Sequence, residues 1–195
     1  MSIKDLVCFF YETGTLRKIN RAHKQTLLGN DESDNIASHS FRVAVIGYFL
    51  AKLCKIDENK VLKMCLFHDF TEARANDQNW VHKKYVKVFE DEITRDQFKK
   101  QLKDKEVFNL IQEYNQKKTK EAQIAKDADL LDQVILLKEY EHSGCKEAGR
   151  WLKDVKGESQ QEKMMHTGQA KKIAKEIKKQ TPSDWWENLW TAKRR

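Results

Sequence analysis

Two adjacent side chains, His68 and Asp69, directly follow an apolar stretch and are of the types that bind divalent transition metals. A neutral imidazole and a carboxylate together suit Mn, Fe, Co, Ni or Zn, and neither side chain is buried cheaply without a partner. A His-Asp pair by itself, however, is more often a surface pair or a helix cap than a metal site. A metal site therefore requires further ligands elsewhere in the sequence.

Two other residues could supply those ligands, one upstream and one downstream of the pair. His39 lies in an upstream segment with helical spacing, and Asp129 lies at the start of a downstream one. Asp127 is an alternative to Asp129, whereas Asp132 is expected at the surface or behind the ligands. Four ligands from three helices could occupy four positions of an octahedral site and leave the others for water and a phosphate oxygen.

The helices that must position these residues follow from the apolar periodicity. Helical segments are predicted over residues 3–19, 36–53, 85–118, 121–142 and 158–179. Another helix, capped by Asp57, is predicted to end just before His68 and Asp69. A polar loop at 21–34 precedes a helix start at Ser33 or Asp34. The long helix is predicted to bury a stripe made of Phe41, Val45, Phe49 and Leu53.

The end of the chain carries its own helix signal. Thr181-Pro-Ser-Asp184 is typical of a capped helix start, with proline at the first helical position. The residues after it are predicted to pack as an apolar helix face: Trp185, Trp186, Leu189 and Trp190.

Composition limits the class of protein. At 195 residues, with 7 glycines and one proline, the chain fits one helical domain. Its four cysteines are far apart and form no C-x-x-C pair, so they are interpreted as reduced core residues, which indicates the cytoplasm. No apolar run approaches the length of a membrane span. The net charge of +7 would attract phosphates, but the lysines are spread among acids, as on a solvated helical surface.

The order of His39, then His68-Asp69, then Asp129 resembles the HD superfamily of metal-dependent phosphohydrolases, whose signature is His, His-Asp and a distant Asp. The resemblance covers about residues 3–142. It implies an all-α fold, a single-domain helical bundle of the HD-domain type spanning residues 1–195, with 143–195 as a C-terminal helical extension packed on it. It also favours Asp129 over Asp127, because the final Asp of the family follows a Lys by three.

The resemblance further implies a cofactor. The four metal ligands would be His39, His68, Asp69 and Asp129, holding one divalent ion of Mn, Co, Fe, Ni or Zn. A second ion would need further histidines between His-Asp and the final Asp, and His82 is the one candidate in that interval.

Within the superfamily the chain is most similar to the 5′-deoxynucleotidase group. That similarity implies that Arg21 binds the substrate phosphate and that Glu72 is a general acid or base. Asp77 would position the attacking water or contact the sugar.

Three positions depart from the family pattern: Ser38 replaces a Glu, Asn76 replaces a Gly, and Ala22 stands where characterised bacterial enzymes carry Trp. That Trp helps to discriminate deoxyribose from ribose, so the preference for a deoxy sugar does not carry over.

The resulting prediction is a cytoplasmic metal-dependent phosphohydrolase that removes phosphate from nucleoside 5′-monophosphates, with a small-molecule nucleotide as its partner and no membrane. An alternative substrate is a longer phosphate chain or a phosphodiester. An alternative of another class is a basic nucleic-acid-binding module with a structural metal site, which is disfavoured because aromatic and basic residues do not interleave. A homodimer is left open.

Overall fold

The computed structural model describes residues 1–29, 31–187 and 189, and within them the chain is helical. The helices, numbered in chain order, are α1 (Ile3–Thr15), α2 (Lys24–Leu27), α3 (Ile36–Cys54), α4 (Glu58–Phe67), α5 (Glu72–Ala75), α6 (Trp80–Tyr85), α7 (Glu90–Thr94), α8 (Lys105–Gln116), α9 (Lys120–His142), α10 (Lys146–Trp151), α11 (Gln160–Met164), α12 (Gly168–Lys179) and α13 (Asp184–Glu187). A short 3-10 turn, Leu16–Lys18, extends α1, and a π-helical segment, Arg95–Gln101, extends α7.

The prediction of an all-α fold is confirmed, since the described residues contain a single isolated β-bridge, between Asn20 and Asn35, and no strand. Next to that bridge, Ile36 donates a backbone hydrogen bond to Ile19. The two interactions together close the segment between the end of α1 and the start of α3. None of the helices described here combines the length and the apolar character needed to cross a bilayer.

Helix α9 forms the centre of the fold. Helices α3, α4, α8, α10, α11 and α12 all pack against it. Its apolar residues are distributed around its whole circumference, which fits a helix that is covered on every side. It therefore places its polar residues, including Asp129, inside the protein.

The face of α3 that was predicted to be buried is exposed, and this prediction was wrong. Phe41 is 71% exposed and Phe49 63%, and Val45 and Leu53 are exposed as well. Helix α3 is apolar around most of its circumference, so periodicity alone did not identify the inner face. The buried face is the one that carries His39, together with Ile36, Ser40, Val43, Ala44, Gly47, Leu50 and Ala51.

Three helices meet closely at Gly47 on α3. A Cβ atom there would overlap Cys65 Sγ of α4 and would lie 3.2 Å from Val61 Cγ1 and 3.5 Å from Ala128 Cβ of α9. Glycine at this position therefore sets how closely α3, α4 and α9 approach one another.

A second core forms around the segment that follows α4. Phe9 of α1 stacks on Phe70 with ring centroids 5.4 Å apart, and both contact Phe98 of the π-helical segment. Phe67 packs against Phe70 at 5.1 Å. Because Phe67 and Phe70 flank His68 and Asp69, this aromatic cluster fixes the turn that carries the pair.

The predicted ends of several elements differ from those observed. Asp57 caps α4 as predicted, but α3 is capped by Asn35 rather than by Ser33 or Asp34. The helix predicted over 158–179 is interrupted between α11 and α12. There the buried carboxylate of Asp127 accepts hydrogen bonds from the backbone N–H groups of His166 and Thr167, which are thereby withheld from a continuous helix.

In the described residues, the C-terminal helix begins later than predicted and does not bury Trp185 or Trp186. Thr181 donates its backbone N–H to Asp184, so the capping interaction is present, but α13 begins only at Asp184. Trp185, Trp186 and Leu189 are exposed, and Trp190 lies outside the described residues.

The cysteine interpretation holds in part. All four cysteines are free thiols, and Cys65 is buried, but Cys8 is exposed.

We expect Gly47→Ala to lower the free energy of unfolding by about 2 kcal/mol, because its methyl group would force the three helices apart. Gly14→Ala is the matched control: it lies in α1 with nothing within 4 Å of its added Cβ, and should stabilise the protein by about 0.5–1 kcal/mol. Urea denaturation measures both. Adding Cys65→Ala to Gly47→Ala should recover part of the loss, and no recovery would contradict the proposed overlap.

Candidate metal centre

The end of α4 brings the His-Asp pair to the inner end of a large cavity. His68 is the C-cap of α4, and its Nδ1 is 2.8 Å from the backbone carbonyl of Cys65, which accepts its hydrogen bond. This bond holds the ring so that Nε2 points away from the helix. Asp69 follows in the turn, with its Oδ2 atom 3.1 Å from His68 Nε2.

His39 of α3 meets the pair from the opposite side. Its Nε2 lies 3.3 Å from Asp69 Oδ2 and 3.4 Å from Asp129 Oδ1 of α9. Its Nδ1 is 2.6 Å from the carboxylate of Asp132, which accepts the Nδ1–H hydrogen bond, so that the free lone pair of the ring is on Nε2. Arg42 binds the other oxygen of Asp132 and so orients that carboxylate.

The structure thus brings together all four residues that were predicted as ligands. One donor atom from each of His39, His68 and Asp129 lies within 4.8 Å of the others. His39 Nε2 and His68 Nε2 are buried and have no hydrogen-bond partner among the described residues. Two unpaired buried imidazole nitrogens facing two carboxylates fit a divalent cation of the Mn to Zn series.

Asp127 takes no part in this cluster, although it is only two residues from Asp129. Its side chain points to the other side of α9, where it binds the backbone of His166 and Thr167 and the Thr167 hydroxyl. Its role is to attach the segment before α12 to the centre of the bundle. Asp132 is buried and lies behind His39. Of the two predicted positions, at the surface or behind the ligands, the second is the one observed.

Arg21 lies beside the cluster with an incompletely paired guanidinium. Nη1 is 4.0 Å from Asp69 Oδ2 and Nε is 3.6 Å from Asp77 Oδ2. Both nitrogens are buried without a hydrogen-bond partner in the described part of the chain. Although burial opposes it, the nearby charges of Asp69 and Asp77 raise the pKa of Arg21 above its usual range. The side chain is a permanent cation with free donors.

Glu72 and Asp77 occupy different surroundings in the same cavity. Burial, together with the charges of Asp69 and Asp77, raises the pKa of Glu72 well above its usual range. Its Oε2 atom is buried and without a partner among the residues described. Asp77 accepts a hydrogen bond of 2.6 Å from the backbone N–H of Ala22, next to Arg21. Glu72 could therefore exchange a proton, whereas Asp77 holds Arg21 in place.

Two residues that contact Asp129 were given no role at the site from the sequence. Lys126 Nζ is 2.6 Å from Asp129 Oδ2, and the Tyr114 hydroxyl donates to the same oxygen at 3.4 Å. The ring of Tyr114 also meets that of His68 with centroids 5.2 Å apart. The Lys at three residues before the final Asp was visible in the sequence, but Tyr114 lies on α8 and no local pattern links it to the ligands.

The positions that depart from the family pattern have local explanations. Ser38 is exposed and hydrogen-bonds to Asn35 and Ser33 at the start of α3, away from the ligands. Asn76 has φ 58° and ψ 164°, a conformation that glycine adopts without strain and other residues rarely do. At Ala22 the backbone is fully bound: its N–H donates a hydrogen bond to Asp77, and its carbonyl accepts one from Asn79.

The cavity that contains the cluster has a volume of about 840 Å³, within the range of small-molecule sites. Arg21, His68, Asp69, Glu72, Asp77 and Asp129 all line it. His82, the candidate for a second metal site, is not among the residues that line it. One metal ion per chain therefore stays the prediction.

We expect Asp129→Asn to lose bound metal, whereas Asp127→Asn retains it, because only Asp129 faces the imidazoles. The two substitutions are identical in chemistry and two residues apart, so each controls for the other. Metal content after dialysis against Mn²⁺, measured by plasma emission spectrometry, distinguishes them. Equal metal content in the two variants would contradict the assignment.

Asn76→Gly should raise the free energy of unfolding by about 1 kcal/mol, because it relieves a strained backbone conformation. The control is Asn59→Gly on the exposed face of α4, where helical φ and ψ make glycine unfavourable and a loss of about 0.5–1 kcal/mol is expected. Thermal unfolding of both variants tests the prediction. A loss at position 76 as large as that at position 59 would show that the strain is absent.

Comparison with known proteins places this architecture. The chain matches the HD domain family over residues 13–177. It is similar to 5′-deoxynucleotidase HDDC2 of Dictyostelium discoideum, with 30% identity over 146 residues that cover 68% of this chain and 76% of that protein.

Solved structures agree with the family match. A conserved hypothetical protein of Pyrococcus furiosus is 29% identical, with a TM-score of 0.70 over 92% of this chain and 100% of the other. A protein of Pyrococcus horikoshii is 27% identical, with a TM-score of 0.68 over 91% and 99%. A predicted metal-dependent phosphohydrolase of Magnetospirillum magnetotacticum has the same fold, at 23% identity and a TM-score of 0.58 over 91% and 95%. The chain belongs to the HD-domain family of metal-dependent phosphohydrolases.

Proposed function

We propose that this protein is a phosphomonoesterase that hydrolyses nucleoside 5′-monophosphates to a nucleoside and inorganic phosphate. The observation that carries the proposal is the buried guanidinium of Arg21, which lines the cavity beside Asp69 and has two nitrogens without a hydrogen-bond partner among the described residues. A phosphate monoester dianion matches that arrangement, because it can accept charge-assisted hydrogen bonds from Arg while another of its oxygens faces the ligands. The similarity to a 5′-deoxynucleotidase supports a nucleotide as the rest of the substrate.

The proposed ligands are His39, His68, Asp69 and Asp129, and a divalent ion held there would polarise the phosphoryl group and lower the pKa of a water molecule. Arg21 would bind the phosphate and neutralise its charge. Glu72 lines the same cavity, and burial raises its pKa well above that of an ordinary Glu, so it would give a proton to the leaving oxygen.

Asp77 would act on the substrate through Arg21. Its carboxylate is held by the backbone of Ala22 and lies 3.6 Å from Arg21 Nε. It would therefore fix the direction in which the guanidinium points. The direct contact with water or sugar that the family resemblance implies stays a prediction, since Asp77 also lines the cavity.

A second candidate substrate is a molecule with more than one phosphate. Lys83, Lys117 and Lys126 line the same cavity as Arg21. Burial lowers the pKa of Lys117, and so do the positive charges of Lys126 and Lys83. Because these lysines are close enough to repel one another, the negative charge of additional phosphate groups would stabilise their positive charges. Phosphate release from nucleoside di- and triphosphates, compared with that from monophosphates, separates the two candidates.

The test of the main proposal is a screen of ribo- and deoxyribonucleoside 5′-monophosphates for phosphate release with Mn²⁺, Co²⁺, Ni²⁺, Fe²⁺ or Zn²⁺. Release from monophosphates that is abolished by Asp69→Asn supports it. No release with any nucleotide and any metal would refute it. Salt-dependent RNA binding that Asp69→Asn leaves intact would instead favour a nucleic-acid-binding module. The cytoplasmic location and a homodimer stay predictions.

Arg21→Ala should lower kcat/KM for the best monophosphate by about a hundredfold, the loss of one or two hydrogen bonds between charged groups. Arg17→Ala, an exposed arginine in the turn that follows α1, is the matched control and should have the activity of the unaltered protein. Initial rates of phosphate release over a range of substrate concentrations provide the measurement. A variant with unchanged kcat/KM at position 21 would exclude Arg21 from phosphate binding.

A further inference from the structure

Two tryptophans line the cavity that contains the candidate metal ligands. Trp80 is the first residue of α6 and Trp151 the last of α10, and their rings meet edge to face with centroids 6.4 Å apart. One belongs to the region of the family signature and the other to the C-terminal extension. The cavity is therefore bounded by aromatic surface as well as by the polar groups of the metal centre.

Packing accounts for Trp151 but not for Trp80. Trp151 is partly buried and packs against the core formed around α3, α4 and α9. Trp80 is 70% exposed and, among the described residues, packs neither in that core nor in the aromatic core around Phe70. An indole ring left open in a cavity is an apolar, planar surface available to a ligand.

Trp80 is nevertheless held at a fixed place relative to Arg21. Asn79 caps α6 by accepting hydrogen bonds from Val81 and His82. The same Asn79 side chain is buried and donates 3.0 Å hydrogen bonds to the carbonyl of Ala22 and to Gln25. The N-terminus of α6 is thus tied directly to the residue after Arg21.

The chain itself limits how far Trp80 can lie from Asp77, a neighbour of Arg21. Trp80 follows Asp77 by three residues, so their Cα atoms are at most about 11 Å apart. Asp77 contacts Arg21. A phosphate on Arg21 would therefore place the other end of a nucleotide near Trp80.

The same cavity holds a free acceptor. Gln161 lines it, and its Oε1 atom is buried without a hydrogen-bond partner among the described residues. An amide oxygen of this kind could accept a hydrogen bond from an amino group of a base.

We propose that Trp80 and Trp151 form a nucleobase subsite, in which the base stacks on the open indole of Trp80 while the phosphate lies at Arg21. The inference rests on the proposed phosphomonoesterase function and specifies the part of the substrate that the metal centre does not bind. Stacking tolerates any base, because every base has a π face. The stacking contact therefore distinguishes nucleotides from sugar phosphates rather than one base from another.

The experiment compares two substrates that differ only by the base, deoxyadenosine 5′-monophosphate and 2-deoxyribose 5-phosphate. The ratio of their kcat/KM values should favour the nucleotide. Trp80→Ala should lower that ratio about tenfold through KM, the loss of one base–aromatic stacking contact. Trp80→Phe should restore most of it, because a phenyl ring still stacks.

Trp185→Ala is the matched control, since Trp185 is 75% exposed and does not line the cavity. It should leave the ratio unchanged. Trp151→Phe, which keeps an aromatic ring against the core, should lower the ratio less than Trp80→Ala. If Trp80→Ala changes both substrates equally, or neither, the subsite does not exist, while the phosphomonoesterase proposal stands.

Binding of a ligand without phosphate separates the two proposals in the other direction. Deoxyadenosine, titrated into the Mn²⁺-loaded protein by calorimetry, should bind the unaltered protein and bind Trp80→Ala about tenfold more weakly. This result would support the subsite even if no phosphate ester were hydrolysed. Equal binding by both proteins would overturn it.

Discussion

The close approach of α3, α4 and α9 at Gly47 is the constraint on which the site depends. Besides Val61, the side chains nearest to the space that a Cβ at position 47 would occupy are Cys65 of α4 and Ala128 of α9. Each lies next to a metal-ligand candidate: the Cys65 carbonyl accepts from His68, and Ala128 precedes Asp129. Small residues at the helix contact thus permit side chains from three helices to reach one point.

Burial of ionisable groups is the second consequence of that approach. His39, His68 and Asp129 are all buried, and Arg21 lies beside them. Buried polar and charged groups are costly unless they are paired. The helices satisfy part of this requirement: Asp132 and the Cys65 carbonyl bind the Nδ1 atoms, and Lys126 binds Asp129. The two Nε2 atoms and the donors of Arg21 that stay unpaired are the atoms that a cation and an anion would need.

The C-terminal extension contributes to the cavity as well as to the core. Asp127 attaches it to α9 by hydrogen bonds to the backbone before α12, and α10 brings Trp151 to the cavity. Neighbouring carboxylates on α9 thus have separate functions, because Asp127 and Asp129 point to different sides of the helix. One face of α9 holds the extension, and the other faces the metal centre.

Sequence by itself determined the fold class, the approximate extent of α1, α3, α4 and α9, and the order of His39, His68, Asp69 and Asp129 along the chain. These features depend on local periodicity, capping and the types of side chain, all of which are contained in the amino-acid sequence. The inner face of α3 was not determined, because a helix that is apolar around most of its circumference can bury any side. Only the tertiary structure decided that Phe41 faces outward, that Asp127 attaches the C-terminal extension, and that Tyr114, Lys126, Trp80 and Trp151 share one cavity. Each of these depends on contacts between residues far apart in the chain, and the packing of α3, α4 and α9 sets them.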